Sequence, residues 1–464
     1  MHQESWIPKD TESSPTTLSP KKQVVDPVMN PKQSVHDEFL VKYYIDKVLP
    51  LVCTDKDRRT IIQKSLEKFN NAKYDFKAET ESTYEFYLNL DSLSRSLKFL
   101  GASEDRIGRL LSVLKKLQDL LFQLPNQRDH LPHQLRAYLL GSYMLHTEMD
   151  FFAEQIPSRY AKLIAAMLKK EDKEHSSAIL QSLRRGLDCN PQIIYDIWSL
   201  AGLCHDVGYS VQGVSKIATD LCKIYGELIP ELNMHMTQEI SPDAVLRTQM
   251  ESFENALRIL YPGIGSELAK YVGILKELTD HGVWSCFFIS SEDLADRINE
   301  NIERLKLKIS RLTLWDLVSD FDLASGERFA SDLLPVLYAE ALIAIALHNR
   351  PHLLYLSPLL MLLVMSDTLQ EWNRVGNLNV RIDYQVRDVY LNMEGSRDSI
   401  IVESEIYAYD CIPIELYDKI TADFLPSDIE RSKIDLDSIR KEFIQGSKFV
   451  IRVGPSSDPY VFSI

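Results

Sequence analysis

The sequence predicts a mainly α-helical protein that carries a small α/β unit at its C-terminal end. Three observations lead there. From Phe39 to about residue 375, apolar residues recur at steps of three and four, the period of one helix face. Past about 376 that period gives way to short β-branched and aromatic runs. The 464 residues are 45% hydrophobic and 26% charged, an ordinary globular balance at a length that favours two or three structural units.

The elements follow in order. Residues 1–36 are rich in Ser, Thr, Pro, Lys and Gln, as in the run from Ser13 to Pro20, and read as a disordered tail. Residues 37–125 read as a helical lead-in. Phe39, Val41, Tyr44, Ile45, Val48 and Leu49 form its first apolar stripe, and Leu97, Leu100, Ile107, Leu110, Leu114, Leu117 and Leu121 continue it. Residues 126–375 form the core unit, with helices at roughly 133–150, 153–170, 191–206, 265–290, 331–349 and 358–374. Asn190-Pro191 starts the third of these, and Gly208 follows its end, where a glycine closes a helix well. The stretches 213–262 and 291–331 read as insertions lying over the core. Residues 376–464 form the α/β appendage, with strands at 386–392, 399–402 and 449–453 and a helix near 428–445. No internal repeat is visible.

Bulk properties exclude some functions. Sixty-seven acidic against 52 basic residues give a formal charge of -15, which argues against broad nucleic-acid binding because that needs a basic surface. The cysteines at 53, 189, 204, 222, 286 and 411 form no CxxC pair and read as reduced thiols. The polar start holds no apolar signal region, and the most apolar stretch, Leu353 to Met365, is too short to span a bilayer and is broken by Ser357 and Pro358. The expectation is a cytoplasmic protein without a membrane partner.

The chemistry concentrates in a few titratable residues set in apolar surroundings. His205 and Asp206 adjoin each other at the end of the apolar segment Ser199 to Cys204. On a regular helix, successive side chains would splay by ~100°, so the end of the helix is what lets these two converge. Asp367 lies in a helix whose first half, Pro358 to Met365, is almost wholly apolar. An unpaired carboxylate there would cost several kcal/mol, and an ion pair or a metal removes that cost. His348 ends the apolar helix from Ala341, which alone suits a dipole-stabilised cap. His281, between Asp280 and Gly282, alone suits a turn. His133 lies one residue past Pro132, where a first-turn side chain can point inward, whereas His130 precedes the helix. His146, His175, His235 and His352 are expected to have no ligand role.

The strings RDHLPHQLRAYLLGSYML, WSLAGLCHDVGYS, DHGVWS, ALIAIALHN and SDTLQEWNR fall in the order H…HD…H…H…D across roughly 126–375. In this the chain resembles the HD-domain superfamily of metal-dependent phosphohydrolases. The resemblance implies a helical domain in which His133, His205, Asp206 and Asp367 bind one divalent ion. His281 and His348 match the extra histidines with which dinuclear members hold a second. The ion would be Mn, Fe, Mg, Zn, Co or Ni. It also implies that a water acidified by the metal attacks phosphorus, with Asp206 bridging two ions when both are present. Tyr209 stands where cyclic-di-GMP-type members carry lysine, which argues against a cyclic dinucleotide substrate. No glutamate stands close after the His-Asp pair, so the guanosine-tetraphosphate hydrolase pattern is not met.

Gln370, Glu371 and Arg374 would share a helix face with Asp367, at steps of three, four and seven. Arg374 is thereby a candidate catalytic residue, a clamp for phosphoryl oxygens, with a salt bridge to Glu371 as its competing role. Arg128, Arg136 and Arg350 are weaker candidates. The expected partner is a small phosphate-containing substrate, a nucleotide by preference, with self-association or a protein partner served by the appendage. The competing reading is a scaffold or sensor that binds metal and nucleotide without turnover.

Overall fold

The computed structural model describes residues 33–72, 75–100, 131–156, 192–209, 247–277, 280–311, 336–370, 385–396, 399–409, 433–441, 443–453 and 460–463, with isolated positions at 112, 115, 116 and 158. Of these, 75% are helical and 10% lie in strands, so the mainly α class holds. Among the described residues no helix is long and apolar enough to cross a membrane.

Helix α1, Asp37–Tyr43, is capped by His36, whose ring accepts from the Phe39 N–H at 3.2 Å. It widens into a π-helical turn at Tyr44–Val48 and then Leu49–Val52, burying Leu40, Val41, Tyr44 and Val48. Helices α2 (Lys56–Asn71) and α3 (Phe76–Asn89) pair with each other, each opened by an aspartate cap, Asp55 and Asp75. Helix α4 is Asp91–Phe99.

Helix α5, Leu131–Thr147, is the hub. Leu131 to Ser142 are buried without a break, and the helix meets α1, α3, α6 (Gln192–Cys204) and α12 (Pro358–Leu369). Each fully buried leucine on it is worth ~1.5–3 kcal/mol. Its closest approach to α6 is at Gly141, where any Cβ would overlap the Trp198 ring. Trp198 in turn donates its indole N–H to Ser142 Oγ at 3.0 Å. The contact ties α6 to α5, and α6 ends at the candidate site.

Helices α7 (Arg247–Leu260), α8 (Gly265–Glu277), α9 (His281–Ile289) and α10 (Leu294–Arg311) follow, with α7 packed on α8, α9 and α10. One expectation changes here. The single helix expected over 265–290 is two, because Asp280 leaves helical geometry (φ -64°, ψ 124°) and accepts from the N–H groups of Gly282 and Val283, restarting the chain as α9. The described parts of 213–262 and 291–331 are helical, with Phe253, Leu257, Ile298 and Ile302 buried. Residues 336–347 form α11, buried throughout. A 3-10 turn at Pro351–Leu356 leads into α12, capped by Ser357.

Helix α12 also ends earlier than expected, at Leu369 and not at 374. Gln370 turns out of the helix (φ -82°, ψ 74°). Gln370 therefore does not continue the helix face of Asp367, and the face argument for Arg374 fails with it. Glu371 and Arg374 themselves lie outside the described residues.

The appendage is a five-stranded sheet in the order β1-β2-β3-β4-β5, formed by Gln33–Val35, Gln385–Gly395, Ile400–Tyr409, Lys448–Val453 and Tyr460–Ser463. The β3–β4 pair is parallel and the others are antiparallel. The tail expected to be disordered to residue 36 is thus corrected at 33–35, which supply an edge strand with Val35 opposite Val389. The expected helix near 428–445 is, in its described part, the short α13, Leu436–Arg440. The sheet is fastened to the helical unit at Gly395, whose N–H meets the Glu148 carboxylate, and at Ile444, whose N–H donates to Tyr355 O at 2.8 Å.

Candidate metal centre

Five helix ends bring six side chains to one place. His133 comes from the first turn of α5, and His205 and Asp206 from the turn that follows α6. His281 opens α9, His348 follows α11, and Asp367 lies in the last turn of α12. The turn after α6 is pressed onto α9. The Gly208 N–H donates to Ser285 Oγ at 2.6 Å, and Ser285 Oγ donates to the His281 carbonyl at 2.8 Å. A Cβ at Gly208 would overlap that same carbonyl, so only glycine allows this approach.

Three imidazoles are oriented in one way. His205 donates its Nδ1–H to Gly202 O at 3.0 Å, and His348 donates its own to Ile345 O at 2.7 Å. His133 turns its Nδ1 to Gln370 Oε1. In each case the Nδ1 partner fixes the ring and aims Nε2 inward, toward a carboxylate. His205 Nε2 and His348 Nε2 are buried and have no hydrogen-bond partner.

The carboxylates sit between these nitrogens. Asp367 Oδ1 is 2.7 Å from His133 Nε2 and 3.6 Å from His205 Nε2. Asp206 Oδ1 is 3.1 Å from His281 Nε2, 3.4 Å from His348 Nε2 and 3.6 Å from His205 Nε2. Two groups result, His133–His205–Asp367 and His205–Asp206–His348, each with ligand atoms within 4.8 Å of one another and with His205 common to both. A nitrogen lone pair facing a carboxylate oxygen is repulsive unless a proton or a metal ion lies between them.

The electrostatics agree. Burial opposes charge on His205, yet Asp206 and Asp367 outweigh it and push the imidazole up to about 9. Burial would raise Asp367, but the hydrogen bond from His133 and the neighbouring His205 imidazole hold it well below the ordinary carboxylate range. The pocket favours positive charge. His205 is 0% exposed and Asp206 4%, whereas the Asp367 side chain is 25% exposed, so the site opens to solvent on the Asp367 side.

Other sequence candidates fall elsewhere. Arg136 is fully buried, held by Asp37 at 3.1 Å and Glu79 at 2.8 Å with its guanidinium over the Phe69 ring, so it braces α1, α3 and α5. Arg350 lies 3.1 Å from Asp280 Oδ2. Arg128 lies outside the described residues, as do His175 and His235. His146 bonds Tyr43 and His352 bonds Tyr271, away from the six. Sequence reasoning missed the supporting roles of Gln370, Asp280, Ser285 and Asn349. The signal for Asp280 and Asn349 was adjacency to His281 and His348.

Comparison of the chain with protein-family models, with curated proteins and with solved structures finds no match to any of them.

Proposed function

We propose that the chain is a metal-dependent phosphohydrolase of the HD-domain type that acts on a nucleotide or a related phosphate ester. The observation that carries this reading is the inward convergence of the Nε2 atoms of His133, His205 and His348 on Asp206 and Asp367, two of them buried without a hydrogen-bond partner. Imidazole nitrogen with carboxylate oxygen is a donor set that suits a divalent ion such as Mn, Fe, Co, Ni, Zn or Mg. His133, His205, Asp206 and Asp367 would hold one ion. His281 and His348, which approach the same oxygen of Asp206, would hold a second.

When bound, such an ion supplies water acidified toward neutrality and neutralises charge on phosphoryl oxygens. The chain does the rest. Gln370 and the carbonyls of Gly202 and Ile345 lock the three rings, so the lone pairs need no reorganisation. Burial of His205 and His348 excludes bulk water from the inner wall, and the exposed side of Asp367 is the approach for substrate. Arg374, shortly beyond Gln370 in the chain, is the cation proposed to meet phosphoryl oxygens.

The test is turnover of a nucleotide panel and of generic phosphomonoester and phosphodiester probes, with added Mn²⁺ and with chelator. The reading predicts hydrolysis that needs metal and is abolished in Asp206→Ala. Arg374→Ala should keep its metal but lose tenfold or more in kcat/KM, about 1.4 kcal/mol or above. A protein that binds metal and nucleotide yet turns over none of the panel would favour the non-catalytic scaffold or sensor.

A further inference from the structure

His281 is held differently from its three neighbours. Among the described residues no hydrogen bond from Nδ1 to a carbonyl or amide oxygen orients its ring. Instead, the Asn349 amide Nδ2 lies 3.3 Å from His281 Nδ1 and 3.1 Å from Nε2, and the same nitrogen donates to Asp280 Oδ1 at 3.3 Å. Asp280 is the cap that starts α9. Its other oxygen is 3.1 Å from Arg350 Nη2, and Arg350 Nη1 donates to the Asn349 carbonyl at 2.9 Å. Across the ring face lies Tyr209, with centroids 3.8 Å apart and planes at 31°. Beneath, Gly282 sits against Ile345 O and the His348 ring, with no room for a Cβ. The first turn of α9 is thus clasped to the turn after α11 by side chains, and the clasp closes through Asn349.

We infer that Asn349 is a positioning residue that presents His281 to Asp206 and so sets the affinity of the site for its second ion. This rests on the metal reading above. The physical reason is that the clasp is severable by itself. His133 and Asp367 hang on α5 and α12, and the turn after α6, which carries His205, is held to α9 by a separate contact through Gly208, Ser285 and the His281 carbonyl, which the Asn349 side chain does not make. Removing the amide releases His281 and unties Asp280 from the α11 side, and leaves the His133–His205–Asp367 group intact. Arg350 supports the same clasp one step further out.

Calorimetric titration of the full chain with Mn²⁺, together with elemental analysis and melting temperature, tests this. The wild type should take up two ions. Asn349→Ala should weaken the second by about tenfold or more, as loss of a supporting partner does, with the first within about twofold and the fold retained. If Asn349→Ala does not fold, Arg350→Gln, whose side chain is partly exposed, should show the same selective loss. Two ions held as tightly as in the wild type, or both weakened equally, would overturn the inference. A wild type that takes up one ion overturns it while leaving the site in place. A wild type that binds none overturns the metal reading itself.

Discussion

At the scale of single residues, the site rests on how three imidazole rings are oriented. An Nδ1–H given to a carbonyl or amide oxygen aims Nε2 at the carboxylates, and two such buried atoms need a proton or a metal ion between them and those oxygens. Gln370 does for His133 what backbone carbonyls do for His205 and His348. Gln370→Leu should therefore lower metal affinity by about 10–100-fold with little change in melting temperature, as read by competition with a chelating dye. The pH dependence has a definite sign. In the metal-free protein His205 is held protonated up to about 9, so an ion must displace that proton. Metal affinity should rise about tenfold per pH unit below 9 and level off above it, with one proton released per ion. Metal-free stability runs the other way. The share owed to His205 is full below ~6.5, the unfolded imidazole value, and is lost as pH rises through about 9. Affinity flat between pH 6 and 9 would remove His205 from the ligand set. All six candidate residues were legible in the sequence because each is a titratable group in or beside an apolar segment. Asn349 and Gln370 were not, since an uncharged amide in such a place carries no penalty large enough to mark it.

At the scale of elements, what matters is that each contributing helix ends or begins at the site. The start of α12 was readable from Ser357 and Pro358, whereas α6 ends at Cys204, two residues before the end expected from Gly208, and that glycine serves the close approach of α9 and not a left-handed cap. The end of α12 was not readable. Gln370 is a good helix former, and the chain leaves the helix because its side chain is captured by His133 from α5, a long-range contact that no local pattern encodes. The break between α8 and α9 was readable but not read: the polar stretch Thr279-Asp280-His281-Gly282 interrupts the apolar pattern, and Asp280 is a good cap. Two substitutions test this level. Asp280→Ala should cost about 1 kcal/mol in cap energy and also loosen His281. Gly208→Ala should force α9 away from the turn that carries His205 and Asp206. The predicted result is about 1–3 kcal/mol of destabilisation together with loss of metal. Full metal retention in Gly208→Ala would show that the approach of α9 is not required.

At the scale of the whole molecule, the lead-in and the appendage are both tied into the unit that bears the site. Arg136, three residues past His133 on α5, pairs in the buried interior with Asp37 of α1 and Glu79 of α3. Arg136→Met should strand two carboxylates without a partner and cost about 3–5 kcal/mol by urea unfolding. Replacing Asp37 and Glu79 as well by apolar residues should recover much of it. The edge strand at 33–35 was invisible in sequence because three residues in a polar tail form a strand only through a partner at the far end of the chain. The mainly α class was legible because it rests on long periodic segments, the signal that local sequence encodes most strongly.

The central claim is that these side chains converge on a divalent cation, and anomalous X-ray diffraction from crystals grown with Mn²⁺ tests it most directly. The account predicts an ion within roughly 2.0–2.2 Å of the inward nitrogens of His133 and His205 and of carboxylate oxygens of Asp206 and Asp367, absent in crystals of Asp206→Ala. An anomalous peak elsewhere, or none between these residues at millimolar Mn²⁺, would contradict it.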